Sequence, residues 1–164
     1  MSSTKYTRRL PRRVADTSGT VRPAVLPPPV QPCVEGFLFV RAPPTFLLLK
    51  RSPTRGGFWQ SVSGRFEPSD ASFADAVLRE VEEETGFTEI VSLVDLRWEL
   101  IFPGKDGRPW HVHSFGVELP ERRPPRLSSE HVSYRWCRPG EALSTLFWPD
   151  NREALRRLSL MVAH

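Results

Sequence analysis

From Gly64 to Phe87 the chain reads GRFEPSDASFADAVLREVEEETGF, and four carboxylates (Glu80, Glu82, Glu83 and Glu84) crowd into five of those residues. At about 100° per residue, Ala74, Val77, Leu78, Val81 and Thr85 line one face, the spacing of a helix that buries one side. Glu80, Glu83 and Glu84 fall together on a neighbouring face, while Glu82 points elsewhere. Like charges three and four residues apart on a helix repel, by roughly 0.2–0.5 kcal/mol per pair. A divalent cation would neutralise them. Hard oxygen donors on one rigid element suit Mg²⁺, with Mn²⁺ as a substitute, bound through a few carboxylates and the phosphates of a substrate. The alternative is a solvated acidic helix face. Ser72 or Asp70 can cap the start of this helix, and Gly86 suits its end.

The length, 164 residues, is that of one domain with a sizeable core. Its longest apolar runs, Gly36–Val40 and Phe46–Leu49, are too short to span a bilayer as helices, so no membrane partner is expected. Cys33 and Cys137 lie far apart in sequence and match no zinc spacing. They read as two thiols in a reducing compartment, and a cytoplasmic location is expected.

The net charge of +4 is unevenly placed. Residues 1–31 carry Lys5, Arg8, Arg9, Arg12, Arg13 and Arg22 against Asp16, a net of +5, which leaves −1 for the remainder. This stretch is rich in Pro, Ser and Thr and ends in Leu26-Pro27-Pro28-Pro29-Val30. Such a composition buries little and reads as a flexible tail over 1–31 ahead of a domain over 32–164. Three uses fit it: a solubilising extension, a contact with nucleic acid or another polyanion, and an organelle transit segment. Its prolines oppose the amphipathic helix that a transit segment needs.

Beyond the tail, Val34–Val40 and Thr45–Lys50 read as strands joined by the turn Ala42-Pro43-Pro44. Gly56-Gly57 opens a loop into a third strand, Phe58–Ser63, which delivers Gly64. Val91–Phe102 and Trp110–Glu118 are further strands around the turn Pro103–Gly107, and Val132–Cys137 is the last. Two helices close the chain, one starting near Pro139 and one at Asp150, where Asp150-Asn151-Arg152-Glu153 has the form of a capping box. Strands interleaved with helices predict an α/β (α+β) fold, with a mixed sheet sandwiched between helices.

The central segment resembles the Nudix box, a glycine followed by a glutamate and then Arg-Glu-apolar-x-Glu-Glu-x-Gly-apolar. Residues 79–87 match the second half at every specified position. The first half departs, because Gly64 to Arg79 is one residue longer than the family spacing. The box glutamate is therefore replaced by Asp70, with Ala71 inserted, or by Ala71. Phe58–Gly64, Glu130–Trp136 and Trp148–Arg152 are similar to one branch, the dihydroneopterin triphosphate or dATP pyrophosphohydrolases, and the likeness runs in order over about 34–158. The resemblance implies a Nudix-type α-β-α sandwich. It also implies a nucleoside or pterin triphosphate substrate cut to a monophosphate and pyrophosphate, and a homodimer as one possible state.

In that branch the positions of Glu80, Glu84 and Glu130 hold metal, and the family adds Glu83 and the backbone carbonyl of Gly64. The implied catalytic residues are Glu83, Glu130 and Arg79, with Glu130 or a box glutamate as base. Arg79 can bind phosphate but is better placed to orient the box carboxylates. Trp59, Gln60 and Arg51 are the candidate substrate contacts. Trp59, Trp98, Phe102 and Trp110 could stack on a flat ring, although aromatics in strands are more often core residues. His111 and His113 share a strand face with Phe115. Without a third nitrogen or sulfur ligand in view, they read as a polar pocket wall. Other readings are a Nudix hydrolase for ADP-ribose, for which Pro103 occupies a suggestive place, one for dinucleoside polyphosphates, and a catalytically weak nucleotide- or RNA-binding module.

Overall fold

The computed structural model describes residues 29–104 and 107–163, the side chain of Phe102 excepted. The expected tail lies outside the described residues up to position 28. Seven strands and three helices follow in the order β1 Gln31–Val40, β2 Thr45–Arg51, β3 Trp59–Gln60, β4 Val62–Arg65, α1 Phe73–Thr85, β5 Ser92–Pro103, β6 Pro109–Glu118, β7 His131–Cys137, α2 Pro139–Thr145 and α3 Pro149–Val162. None of these helices is long and apolar enough to cross a membrane.

The sheet is mixed. β1 runs parallel to β6 from Gln31↔Trp110 to Phe39↔Glu118, and every other pairing is antiparallel. Its central strands are apolar at consecutive positions because both faces are covered. Phe37, Phe39, Phe46 and Leu48 join Leu146, Leu155 and Leu158 on the side of α2 and α3. Leu38, Leu47 and Leu49 turn the other way and pack with Val62, Val81 and Val117 on the side of α1. Each such side chain contributes about 1.5–3 kcal/mol on burial. The mixed sheet between helices therefore agrees with the fold class read from the sequence.

Three local expectations change. The third strand breaks at Ser61: Trp59–Gln60 pairs with β2, whereas Val62–Arg65 switches partner to β1, with Gly64 opposite Val34. The buried stripe of α1 is Ala76, Val77, Glu80, Val81, Glu84 and Thr85, while Ala74 and Leu78 are half-buried. It is rotated towards the carboxylates, because that edge of the helix packs on β4. At α3 the capping box does not form. Trp148 occupies the cap position, Pro149 opens the first turn, and Glu153 pairs with Arg156 and Arg157 instead. A carboxylate does reach back at α2, where Glu141 Oε2 accepts from the Arg138 amide at 2.9 Å.

The ends of α1 are set by two residues. Ser72 caps the start, its Oγ accepting from the Asp75 amide at 3.1 Å. Gly86 ends it in the left-handed region (φ 74°) and donates to the Glu82 carbonyl at 2.8 Å. Ser72→Ala is expected to lower stability by about 1 kcal/mol. The check is a lower urea midpoint at unchanged slope.

Candidate active site

Gly64 on β4 lies directly beneath the Glu80 side chain of α1. A Cβ built on it would overlap the carboxylate of Glu80, so only a hydrogen leaves room for that group. Its requirement is one of space, since α1 lies directly over β4.

Arg79 fixes the loop between β4 and α1. Its Nε and Nη2 donate to the two oxygens of Asp70, each at 2.9 Å, Nη2 also reaches the Arg65 carbonyl at 2.9 Å, and Nη1 reaches Glu80 at 2.8 Å. A guanidinium has five N–H donors in a rigid fork, and here the fork is engaged on every side. The bidentate hold settles the open alternative at the start of the box. Asp70 meets Arg79, Ala71 is exposed, and the extra residue is absorbed between Asp70 and the Ser72 cap. Asp70 also accepts from the Glu67 amide at 2.8 Å, closing a tight turn. The Arg79 hydrogen bonds hold the Asp70 carboxyl down at about 2 and push the guanidinium further up.

Glu80 and Glu84, one turn apart, are both buried, with 8% and 3% of their surface exposed. Burial raises Glu80 from its ordinary value, against the pull of Arg79. Glu84 is pushed up to about 9 by burial and then by the charges of Glu80 and Glu130, while the Ser63 amide and Arg51 oppose the rise. Its Oε2 has no hydrogen-bond partner among the described residues. Glu130 stands just before β7, its side chain 37% exposed, and pairs with Arg55 at 3.0 Å. Its charge raises both Glu80 and Glu84 across the site. Glu83 projects to solvent beside Arg79, 3.4 Å from Nη1.

A polar chain runs along the edge of this site. Arg51 donates to Gln60 Oε1 at 3.4 Å, and Gln60 Nε2 lies 3.2 Å from His131 Nε2. Burial depresses His131 to about 4, so the ring is neutral at ordinary pH. Trp59 points to the opposite face, half-buried against the α2–α3 core with Arg135 over its ring at 5.2 Å. Trp98 is likewise packed there, under Arg157. Trp110 lies beneath Arg65, and the Phe102 side chain is outside the described residues.

Three features escaped the sequence. Phe58, Phe147 and Trp148 form an aromatic cluster with centroids 4.8–5.5 Å apart, and Arg51 lies over Phe58. No periodicity joins residues so far apart. Glu35, buried on the α3 face, accepts from Ser114, Ser61 and Asn151, and burial lifts it to about 7. A charged residue inside the apolar run of β1 was its only signal. Glu99 faces His111 and His113 across β5 and β6.

The donor set is compatible with a hard divalent cation. Buried carboxylates face one another, one of their oxygens lacks a hydrogen-bond partner among the described residues, and the helix approaches a glycine of β4 whose carbonyl the family resemblance implied as a further ligand. Residues 34–158 match the family model of the NUDIX domain. The chain belongs to the Nudix family. A stretch of 135 residues is 36% identical to an octanoyltransferase of Myxococcus xanthus, covering 80% of this chain but 37% of that protein. The chain thus spans little more than a third of that relative's length. Over 120 residues it is 28% identical to the asymmetrical bis(5'-nucleosyl)-tetraphosphatase of Caenorhabditis elegans, covering 72% of this chain and 85% of the relative. The fold is also that of the Escherichia coli dihydroneopterin triphosphate pyrophosphohydrolase, with a TM-score of 0.69 at 21% identity over 80% of this chain and 98% of that one.

The raised Glu84 has a measurable consequence. Stability from such a carboxylate is greatest below its ordinary 4.5 and is lost as pH climbs through about 9, because the unfolded chain gives up the proton first. A cation that binds the carboxylate must displace that proton. Mn²⁺ binding at pH 7.5 is therefore expected to release about one proton per site from the native protein and none from Glu84→Gln. Calorimetry in buffers of different ionisation enthalpy measures the difference.

Proposed function

We propose that this Nudix hydrolase is a divalent-metal-dependent pyrophosphohydrolase that converts a nucleoside or dihydroneopterin triphosphate into the monophosphate and pyrophosphate. The observation that carries the reading is the convergence of Glu80, Glu84 and Glu130 beside Gly64, with Glu84 buried and short of a partner. Glu80, Glu84, Glu130 and the Gly64 carbonyl would hold the ion, with Glu83 at its outer edge. An Mg²⁺ or Mn²⁺ ion held by these residues would supply positive charge against the phosphoryl oxygens and make the attacking water more acidic.

The protein's own groups do the rest. Arg79 orients Glu80 and ties down the loop that carries Asp70; with its donors engaged, it acts by positioning rather than by binding phosphate. Glu130, accessible and steadied by Arg55, accepts a proton from the attacking water, help that is typically worth about 10²–10⁴ in rate. Arg51 offers its charge to the phosphates, and Gln60, anchored on His131, offers an amide to the substrate. The aromatic group of Phe58, Phe147 and Trp148 supplies the flat apolar surface first sought at Trp59, on which a purine or pterin ring can stack.

The relatives name more than one activity, so the substrate rests on the motif likeness at Phe58–Gly64 and Glu130–Trp136. The tetraphosphatase relative supports a second reading, a dinucleoside polyphosphate as substrate. The Myxococcus relative supports a third, in which a unit like this one serves a longer protein with octanoyl transfer activity. A panel of dATP, dihydroneopterin triphosphate, diadenosine tetraphosphate and ADP-ribose, assayed for phosphate, pyrophosphate and AMP, separates these substrate readings. Pyrophosphate is expected from the triphosphates, with ADP-ribose a poorer substrate. Efficient cleavage of diadenosine tetraphosphate or ADP-ribose with triphosphates left intact would overturn the branch assignment and leave the family assignment standing.

A further inference from the structure

Away from the box carboxylates, Glu99 on β5 faces His111 and His113 on β6. The ladder sets Glu99 directly opposite His113, with His111 two residues away on the same face. One oxygen of Glu99 lies 3.0 Å from His111 Nε2 and the other 3.0 Å from His113 Nδ1, and a donor atom from each residue lies within 4.8 Å of the others. We propose that Glu99, His111 and His113 form a second metal site, one that takes a late first-row divalent cation such as Zn²⁺.

The donor chemistry separates this site from the first. Imidazole nitrogens with one carboxylate suit Zn²⁺, Ni²⁺ and Cu²⁺, whereas carboxylates and carbonyls suit Mg²⁺ and Mn²⁺. Bonds of about 2.0–2.1 Å to a tetrahedral ion place donors about 3.3 Å apart, near the 3.0 Å between each Glu99 oxygen and its histidine nitrogen.

The site is supported from outside its ligands, as metal-binding histidines generally are. The His113 ring stacks on Phe73 in the first turn of α1, with centroids 3.8 Å apart at 19°, and Phe73 packs on Phe66. A bulge in β5 between Asp95 and Glu99 sets the register, with Arg97 at φ 48° donating its amide to Asp95 at 2.8 Å. The Asp95 carboxylate adds negative charge near His113. An ion held here would link β5, β6 and, through Phe73, the start of the helix that carries the box.

Isothermal titration of the tag-free chain with Zn²⁺, in saturating Mg²⁺ to occupy hard-oxygen sites, tests the proposal. One Zn²⁺ per chain is expected. The double variant His111→Gln/His113→Gln should weaken it at least about tenfold, and Glu99→Gln should weaken it as well. Glu84→Gln should bind Zn²⁺ as the native chain does, and Co²⁺ should show the visible spectrum of an imidazole-bound tetrahedral ion. Circular dichroism establishes that each variant is folded. Zinc binding of equal strength in the double variant, its loss in Glu84→Gln, or no binding below millimolar zinc would each overturn the assignment.

Discussion

The guanidinium of Arg79 is the interaction on which the site depends. It is the cation in direct contact with Glu80 and Asp70, and Glu83 and Glu67 stand within 4 Å of it. Hydrogen bonds to charged groups contribute about 1.5–3 kcal/mol each, and the bidentate pair with Asp70 adds orientation to strength. By tying Asp70 and the Arg65 carbonyl to α1, it holds helix and sheet edge close enough for the Glu80 carboxylate to rest over Gly64. A longer loop than the family spacing is tolerated because the extra residue lies outside this clamp.

The clamp stops short of Glu84. That carboxylate is buried beside Glu80 and across from Glu130, and its nearest offsets are one backbone amide and the more distant charge of Arg51. At an effective dielectric near 20, two like charges 4 Å apart repel by about 4 kcal/mol. Burial and the charges of Glu80 and Glu130 favour a proton on Glu84. A carboxylate raised in this way costs stability around neutral pH, and on the proposed reading a divalent cation takes the place of that proton.

Local pattern and long-range contact divide what could be read in advance. The strands and the helix follow from apolar periodicity, and its end from Gly86, all properties of neighbouring residues, while the choice of Ser72 over Asp70 as its cap needed the structure. The break at Ser61 was invisible because it reflects a change of partner strand. The rotation of the α1 stripe was invisible too: a glutamate looks polar whether it faces solvent or is buried against a glycine. Asp70 and Ala71 could not be separated by spacing, whereas a bidentate contact with Arg79 separates them at once. Likewise His111 and His113 show no third nitrogen or sulfur ligand in the sequence, whereas the bulged register of β5 brings the Glu99 carboxylate opposite, and the cluster of Phe58, Phe147 and Trp148 is joined only by tertiary packing.

The central claim is that Glu80 and Glu84 are buried together to receive a divalent cation. Anomalous diffraction from crystals grown with Mn²⁺ locates that ion directly. The account requires Mn²⁺ within about 2.0–2.3 Å of carboxylate oxygens of Glu80 and Glu84, next to Gly64 and on the side of Glu130. A fully loaded crystal with Mn²⁺ elsewhere, and Glu84 still buried without a cation, would contradict it.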